Sequence, residues 1–295
     1  LGIDVEVSRY LLPSGDLFEI PKRFHALREI ARGAYGVVCS AQLAYAESEM
    51  VAIKKISSIF EHQIIAKRAI RELKLMRLLQ HQNIVEIKEV YLTGTESVFN
   101  DIYVVMGLME TDLYSILASA QALSDDHCRV LLYQILCGLL YVHSSGVIHR
   151  NLKPRNILVN SNCNLKVGGF ELARLQKVRG YTFHDLPMTE YVCTRWYRAP
   201  EVLCSWIDYG KEIDIWAAGC ILGEMLQRRV VFKGSCTQQQ LELMIHCLGI
   251  PSSEWLQRVT QDKCRKFLQS LPFVEPKGLS SQFTGRNLQA LDLLS

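Results

Sequence analysis

Residues 149–171 read HRNLKPRNILVNSNCNLKVGGFE, and this stretch decides the fold and the chemistry open to the chain. Five of its residues share the spacing H-R-x-L-K-x-x-N: His149, Arg150, Leu152, Lys153 and Asn156. Gly169-Phe170-Glu171 begins thirteen residues after Asn156. Positions 151 and 169 hold Asn and Gly, which carry no charge. The other motifs of the chain show why the absence of charge at positions 151 and 169 matters for the chemistry.

A glycine-rich loop is predicted upstream, at residues 31–38 (ARGAYGVV). Its glycines would let backbone N–H groups approach phosphates without a Cβ in the way. A strand-like VAIK run ends at Lys54, and Glu72 comes eighteen residues later inside a helical stretch at 66–79. Each feature alone is weak evidence, since a lone Lys54 would more often be a solvated lysine at a strand end. Their order along the chain is what strengthens the prediction.

Two further segments complete the pattern. Residues 102–113, IYVVMGLMETDL, are typical of a strand, a short connection and a helix start, although an ordinary buried strand end fits this segment equally well. Residues 188–201 read MTEYVCTRWYRAPE and place Thr189-Glu190-Tyr191 just before a T-R-W-Y-R-A-P-E run.

Taken together, these motifs resemble the protein kinase family. The T-E-Y site and the sequence around it are similar to those of the mitogen-activated members of this family (MAP kinases), of plant type. The resemblance covers nearly the whole chain and implies a two-lobed α+β fold. It implies an N-terminal extension at 1–23, a β-rich small lobe with one main helix at 24–106, and a mostly helical large lobe at 107–295, cut short at its C-terminus. Ser124 is predicted to cap the helix that follows it.

The resemblance also implies roles for single residues. Lys54 and Glu72 would form the ion pair that positions the ATP phosphates, Lys153 would lie in the catalytic loop, and Asp214 would anchor that loop. Asn156 would bind Mg²⁺, and Gly169 stands where the second metal ligand is expected. The nucleotide would contact a mostly apolar set: Ile30, Ala31, Gly33, Gly36, Val38, Ala52, Lys54, Met106, Leu108, Met109 and Leu158.

Two departures weaken the expected chemistry. Family members have a catalytic aspartate at position 151, where Asn151 is no useful base, and general-base catalysis is worth about 10²–10⁴-fold. Gly169 leaves Mg²⁺ with Asn156 as its one predicted protein ligand, so ATP binding is expected to be weak and Mg²⁺ use impaired. Glu171 could reach the metal only by a slip in register, which a buried Phe170 would oppose.

Regulation is implied by the same resemblance. Thr189 and Tyr191 would be phosphorylated by an upstream dual-specificity MAP kinase kinase. Five arginines would receive the phosphates, although ordinary surface contacts are the simpler explanation for any one of them. Arg68, Arg150 and Arg174 would bind phosphothreonine, and Arg195 and Arg198 would bind phosphotyrosine.

Three interpretations therefore stay open. The first is a non-catalytic binding or decoy module in MAP kinase signalling, which binds protein substrates or docking partners. The second is a weakly active, proline-directed Ser/Thr kinase. The third is a decaying gene copy without function, against which the intact T-E-Y segment argues.

Composition excludes other classes. The 295 residues are 49% hydrophobic with a mean hydropathy of +0.08, and a net charge of +3 gives no argument for nucleic-acid or membrane binding. The N-terminus lacks the apolar core of a signal peptide. The ten cysteines form no CxxC pair, which argues against metal binding and fits a reducing compartment. A cytoplasmic protein with access to the nucleus is expected. Glu201 is expected to lack the arginine that pairs with it in the family.

Overall fold

The computed structural model describes residues 6–33, 36–61, 63–95, 98–176, 194–204, 209–283 and 287–294. It contains two compact units. The first is Leu1–Glu110 together with Gly168–Leu172, and the second is Thr111–Val167 together with Ala173–Ser295. The small-lobe range predicted from the sequence, 24–106, falls within the first unit, which also takes in the short segment that contains Gly169.

The first unit is built on a five-stranded antiparallel sheet. The strands are β3 (Phe24–Gly33), β4 (Gly36–Leu43), β5 (Ala46–Ile56), β6 (Ile87–Thr95) and β7 (Val98–Gly107), and their spatial order is β3-β4-β5-β7-β6. One helix, α1 (Gln63–Leu78), lies between β5 and β6 in the chain. The β-rich unit with a single main helix is therefore confirmed.

A hairpin precedes this sheet and was not predicted. Strands β1 (Val7–Leu11) and β2 (Leu17–Pro21) pair antiparallel within the segment expected to be a simple extension. Phe18 and Ile20 of β2 are fully buried in one core cluster with Phe24 and Tyr103. The ring of Phe18 meets Tyr103 edge-on at 5.6 Å. Aromatic burial of this kind attaches the hairpin to the sheet.

The second unit is mostly helical. Its helices are α2 (Leu113–Ala118), α3 (Asp125–Ser144), α4 (Pro200–Leu203), α5 (Glu212–Gln227), α6 (Thr237–Leu248), α7 (Ser253–Gln257), α8 (Asp262–Ser270) and α9 (Leu288–Leu294). Short strands β8 (Thr111–Asp112), β10 (Ile157–Val159) and β11 (Leu165–Val167) form one small sheet, and β9 (Val147–Ile148) pairs with β12 (Arg174–Leu175). The α+β fold is confirmed.

Two helices of this unit show how the sequence sets their ends and faces. Ser124 caps α3 as predicted, because its hydroxyl accepts a hydrogen bond from the His127 backbone, while the His127 ring accepts one from the Ser124 backbone. Helix α5 buries residues on nearly all sides, including Asp214. Among the described helices, none is long and apolar enough to cross a membrane.

Candidate active site

Lys54 and Glu72 form an ion pair inside the first unit. The Lys54 ammonium donates to both carboxylate oxygens of Glu72, at 2.8 and 2.9 Å. The lysine side chain is 23% exposed and the glutamate side chain 9%. Burial alone would lower the pKa of Lys54, but the Glu72 carboxylate and the charge of Glu171 outweigh it and raise that pKa. Lys54 therefore stays a cation at physiological pH.

The sheet register aligns the predicted nucleotide residues of this unit. Ala31 pairs with Val38, and Val38 pairs in turn with Lys54, so the three side chains share one face of the sheet. Ala52 pairs with Met106, which packs against the core between α1 and the sheet. The remaining members of the set lie around these: Ile30 on β3, and Leu108 and Met109 just after β7.

Gly36 has a structural reason to be glycine. Its φ is +151°, and a Cβ placed on it would lie 1.8 Å from the carbonyl oxygen of Lys55 in the neighbouring strand. Gly33 has no such positive φ, and a Cβ placed on it would meet no atom closer than 4.0 Å. Close strand packing therefore explains Gly36, while Gly33 is left with the phosphate role as its candidate reason.

The segment with Gly169 and Glu171 belongs to the same unit as Lys54. Gly169 has a positive φ of +81°, and Phe170 is fully buried. The backbone carbonyl of Glu171 lies 3.5 Å from an Arg71 amino group, and Glu171 lines a small cavity with Lys54, Arg68 and Glu72. The buried Phe170 is the anchor expected from the sequence, and it fixes Glu171 beside the ion pair.

The catalytic-loop sequence is held in the second unit by Asp214. One Asp214 oxygen accepts from the His149 backbone N–H, and the other accepts from the Arg150 backbone N–H, each at 2.8 Å. The His143 ring lies 2.8 Å from the same carboxylate. This anchoring holds Arg150 at a left-handed φ of 66°, which a non-glycine residue adopts only when its surroundings fix it. Sequence reasoning had not predicted the contact of His143.

Asn151 and Asn156 occupy this anchored loop. Asn151 is 7% exposed, and its backbone carbonyl accepts a 2.7 Å hydrogen bond from the Asn156 side-chain amide. That bond leaves the Asn156 amide oxygen as an acceptor for another group. Lys153 follows in the same loop, and Leu158 lies on β10 of the same unit.

The donors do not make up the Mg²⁺ site that the family pattern implies. Asn156 offers one amide oxygen, and Gly169 offers no side chain. Within the described residues, no three His, Cys, Asp or Glu side chains gather closely enough to hold a metal ion. Mg²⁺ prefers carboxylates together with phosphate oxygens, and position 169, where the ligand aspartate is expected, holds glycine. The side chains at these positions therefore do not fit a Mg²⁺ ion bound in the manner of the family.

The arginines predicted to receive phosphate fall into separate surroundings. Arg150 and Arg198 line one small cavity of the second unit, and the Arg150 Nε is buried without a hydrogen-bond partner in the described residues. Arg195 donates to the Ser235 carbonyl at 2.9 Å, and Arg174 to the Ala173 carbonyl at 3.0 Å. Arg68 lies on α1 in the first unit.

Arg150 and Arg198 therefore share one cavity, and the binding of phosphothreonine and phosphotyrosine by the five arginines stays a prediction. Thr189 and Tyr191, with the rest of 177–193, lie outside the described residues.

Comparison with known proteins identifies the family. The family model for the protein kinase domain matches residues 24–280. Mitogen-activated protein kinase 2 of Arabidopsis thaliana is 44% identical over 293 residues, which is 99% of this chain and 76% of that protein. Mitogen-activated protein kinase homolog MMK2 of Medicago sativa is 43% identical over 296 residues, 99% of this chain and 78% of that protein. Mitogen-activated protein kinase 4 of Oryza sativa subsp. japonica is 44% identical over 278 residues, which is 94% of this chain and 74% of that protein. With its anchored catalytic loop and its lysine–glutamate pair, this chain belongs to the protein kinase family, in its mitogen-activated protein kinase branch.

Proposed function

We propose that this MAP kinase family domain binds ATP and transfers phosphate only at a strongly reduced rate, so that it acts in phosphorylation signalling mainly by binding. The observation that carries the proposal is the catalytic loop itself. Asp214 holds its backbone, and Asn156 bonds to the carbonyl of residue 151, yet residue 151 is an amide that accepts no proton.

The expected sizes of the two effects support a strong reduction in the rate of phosphoryl transfer and not a mild one. Loss of a general base lowers the reaction rate by about 10²–10⁴-fold. For phosphoryl transfer the loss lies towards the lower end of this range, because positioning and charge stabilisation dominate the catalysis. Loss of a metal-holding carboxylate removes part of that charge stabilisation as well. Because the Lys54–Glu72 pair is present, ATP can still be positioned in the first unit.

A Ser/Thr kinase with useful residual activity is the second candidate. The relatives named above are mitogen-activated protein kinases by name, and this similarity favours an active enzyme. Glu171 adds a carboxylate to the unit that carries Lys54. The two candidates differ in rate and not in fold, so a rate measurement separates them.

The deciding assay measures transfer of the γ-phosphate of ATP to a Ser-Pro peptide, with Mg²⁺ or Mn²⁺. The controls are Lys54→Met and an active plant MAP kinase assayed in parallel. We expect a rate at least about 100-fold below that of the active kinase. A comparable rate that Lys54→Met abolishes would overturn the proposal and establish the second candidate.

Nucleotide binding is tested separately by calorimetric titration of ATP with and without Mg²⁺. We expect weak binding that Lys54→Met removes and that Mg²⁺ improves little. A large gain with Mg²⁺ would contradict the impaired metal site and would point to Glu171 as a ligand.

The proposed partners are an upstream dual-specificity MAP kinase kinase and the protein substrates or docking partners of the branch. As a decoy, the domain would compete for the upstream kinase through its T-E-Y segment. Adding the domain to a mixture of that kinase and an active MAP kinase should slow phosphorylation of the active enzyme. An unchanged rate would exclude the decoy role.

A further inference from the structure

The second unit carries a basic groove in which Lys153 and Arg195 already have proposed roles and Arg155 has none. Its volume is about 480 Å³, within the range of small-ligand binding sites. We name it the Tyr114–Trp196 groove after two of the residues that line it, together with Lys153, Arg155, Thr194 and Arg195. The lining contains three cations and, among the described residues, no carboxylate.

The cationic side chains of this groove have hydrogen-bond donors that no other described residue uses. Within the described residues, the side chains of Lys153 and Arg155 make no hydrogen bond and no ion pair. Arg195 uses one amino group on the Ser235 carbonyl and keeps the others. Concentrated positive charge, with no counter-charge among the lining residues that the structure describes, favours an anionic occupant.

Arg155 is oriented in advance. Its guanidinium carbon lies 3.7 Å from the centre of the Tyr114 ring, as in a stacked cation–π contact. Stacking fixes the plane of the guanidinium while its N–H donors, which lie in that plane, stay available. A planar fork held in this way suits the oxygens of a phosphate, which it can bind in pairs.

The Trp196 side chain in the lining is also held in place. The indole N–H of Trp196 donates to the Gly234 carbonyl at 3.0 Å, and the Lys233 ammonium lies 5.5 Å from the centre of a Trp196 ring. The Tyr197 hydroxyl donates to Glu224 at 2.6 Å inside the unit. Each of the two groove aromatics carries a cation over one face.

We infer that the Tyr114–Trp196 groove binds a phosphorylated serine or threonine of a protein partner, with Arg155 as the residue that sets this preference. A phosphate carries about 1.5–2 negative charges and three acceptor oxygens, which matches three cations better than a single carboxylate does. The groove is open and roomy enough for a side chain with its flanking backbone.

Peptide binding in this groove requires no phosphoryl transfer, so a failed binding test leaves the proposed function untouched. The probe is a fluorescein-labelled nine-residue Ala/Gly peptide with one central phosphoserine, compared with the same peptide carrying serine or aspartate. Fluorescence polarisation on the whole domain should show the phosphoserine peptide binding at least about tenfold more tightly than either control. Equal binding of the three peptides would overturn the inference.

Variants assign the effect to Arg155. Arg155→Ala should lose about tenfold in affinity for the phosphopeptide, Arg155→Lys should recover only part of it, and Tyr114→Leu should weaken binding by loosening the guanidinium. The matched control is Arg129→Ala on α3, which removes the same charge from a side chain that is 77% exposed and pairs with Asp126. An equal loss in the control, or none in Arg155→Ala, would contradict the assignment.

Two competition experiments test the other sources of anion. Inorganic phosphate should not displace the phosphopeptide at equal concentration, since displacement would mean a site for small anions only. Domain phosphorylated on Thr189 and Tyr191 should still bind the peptide, because Lys153 and Arg155 stay available when Arg195 binds the phosphotyrosine. Loss of binding would mean that the groove serves the chain's own phosphotyrosine, and the inference would be wrong.

Discussion

At the scale of single residues, the Lys54–Glu72 ion pair is the part of the proposed nucleotide site that is formed within one unit. We predict that Lys54→Met costs about 3 kcal/mol of unfolding free energy, because it leaves the nearly buried Glu72 carboxylate unpaired. Glu72→Gln should cost less, since Lys54 is the more exposed partner. In urea unfolding, the double variant should cost at least about 1 kcal/mol less than the sum of the singles. Additive losses would contradict a coupled pair.

The pair also has a pH dependence of known sign. The folded pKa of Lys54 is raised, so its stabilising contribution is complete below the ordinary lysine pKa and is lost as the pH rises through the raised value. The stability advantage of the natural chain over Lys54→Met should therefore shrink above about pH 10.4.

Glu201 gives a second pH-dependent prediction. Burial, and then the charge of Glu212, raise its pKa, and no cation pairs with it among the described residues. A carboxyl group with a raised folded pKa destabilises the fold once the pH exceeds its unfolded pKa, and the effect is complete above the folded value. Glu201→Gln should therefore melt higher than the natural chain at pH 7, with the difference closing towards pH 4.

The exposed Glu254→Gln serves as the control for Glu201→Gln, because it removes a charge that has no burial to overcome. Thermal melts of the three proteins between pH 4 and pH 8 provide the measurement. A difference between Glu201→Gln and the natural chain that does not change with pH would contradict the raised pKa.

At the scale of elements, the loop between β9 and β10 depends on one residue of α5. Asp214→Ala removes the acceptor of two backbone N–H groups, those of His149 and Arg150. We expect a loss of about 3–5 kcal/mol, with a smaller loss for Asp214→Asn, which keeps one acceptor oxygen. Hydrogen exchange at the amides of His149 and Arg150 should accelerate in Asp214→Ala. Unchanged exchange would mean that other contacts hold the loop.

The two glycines of the β3–β4 connection form a matched pair. Gly36→Ala should destabilise the sheet by at least about 2 kcal/mol, because its Cβ would meet the Lys55 carbonyl and its φ is positive. Gly33→Ala should change stability by less than about 0.5 kcal/mol. Chemical denaturation of both variants tests this difference. If Gly33→Ala nonetheless weakens ATP binding, that result would support contact between the Gly33 backbone and the ATP phosphates.

Elements with a strong local signal could be predicted from the sequence. The helix at 66–79 and the Ser124 cap follow from period and cap chemistry, and α1 and α3 confirm them. The β1–β2 hairpin could not be predicted, because two five-residue strands owe their stability to burial of Phe18 and Ile20 against distant Tyr103. The basic groove was missed for a related reason. The guanidinium of Arg155 is oriented by the ring of Tyr114, which is about forty residues away in the chain.

At the scale of the whole molecule, the two units divide the chemistry. The first unit holds Lys54, Glu72 and Gly169, and the second holds Asn151 and Asn156. The lobe ranges predicted from the sequence agree with this division for Lys54, Glu72, Asn151 and Asn156, but they placed Gly169 in the large lobe. They did not predict that Glu171 would line a cavity with the ion pair, because that depends on how Phe170 is buried. The central claim is therefore that a kinase scaffold is present and that single side chains limit its chemistry.

Restoring the family residues tests this claim most directly. The measurement is kcat/KM for a Ser-Pro peptide in Asn151→Asp, Gly169→Asp, Glu171→Gly and the triple variant, with Asn162→Asp as a control that adds the same charge at an exposed turn. Aspartate tolerates the left-handed backbone of Gly169 better than most residues. We predict that the triple variant gains at least about 100-fold and far more than any single change, because the groups act as a unit. A natural chain already as active as the triple variant, or a triple variant as inactive as the natural chain, would contradict the account.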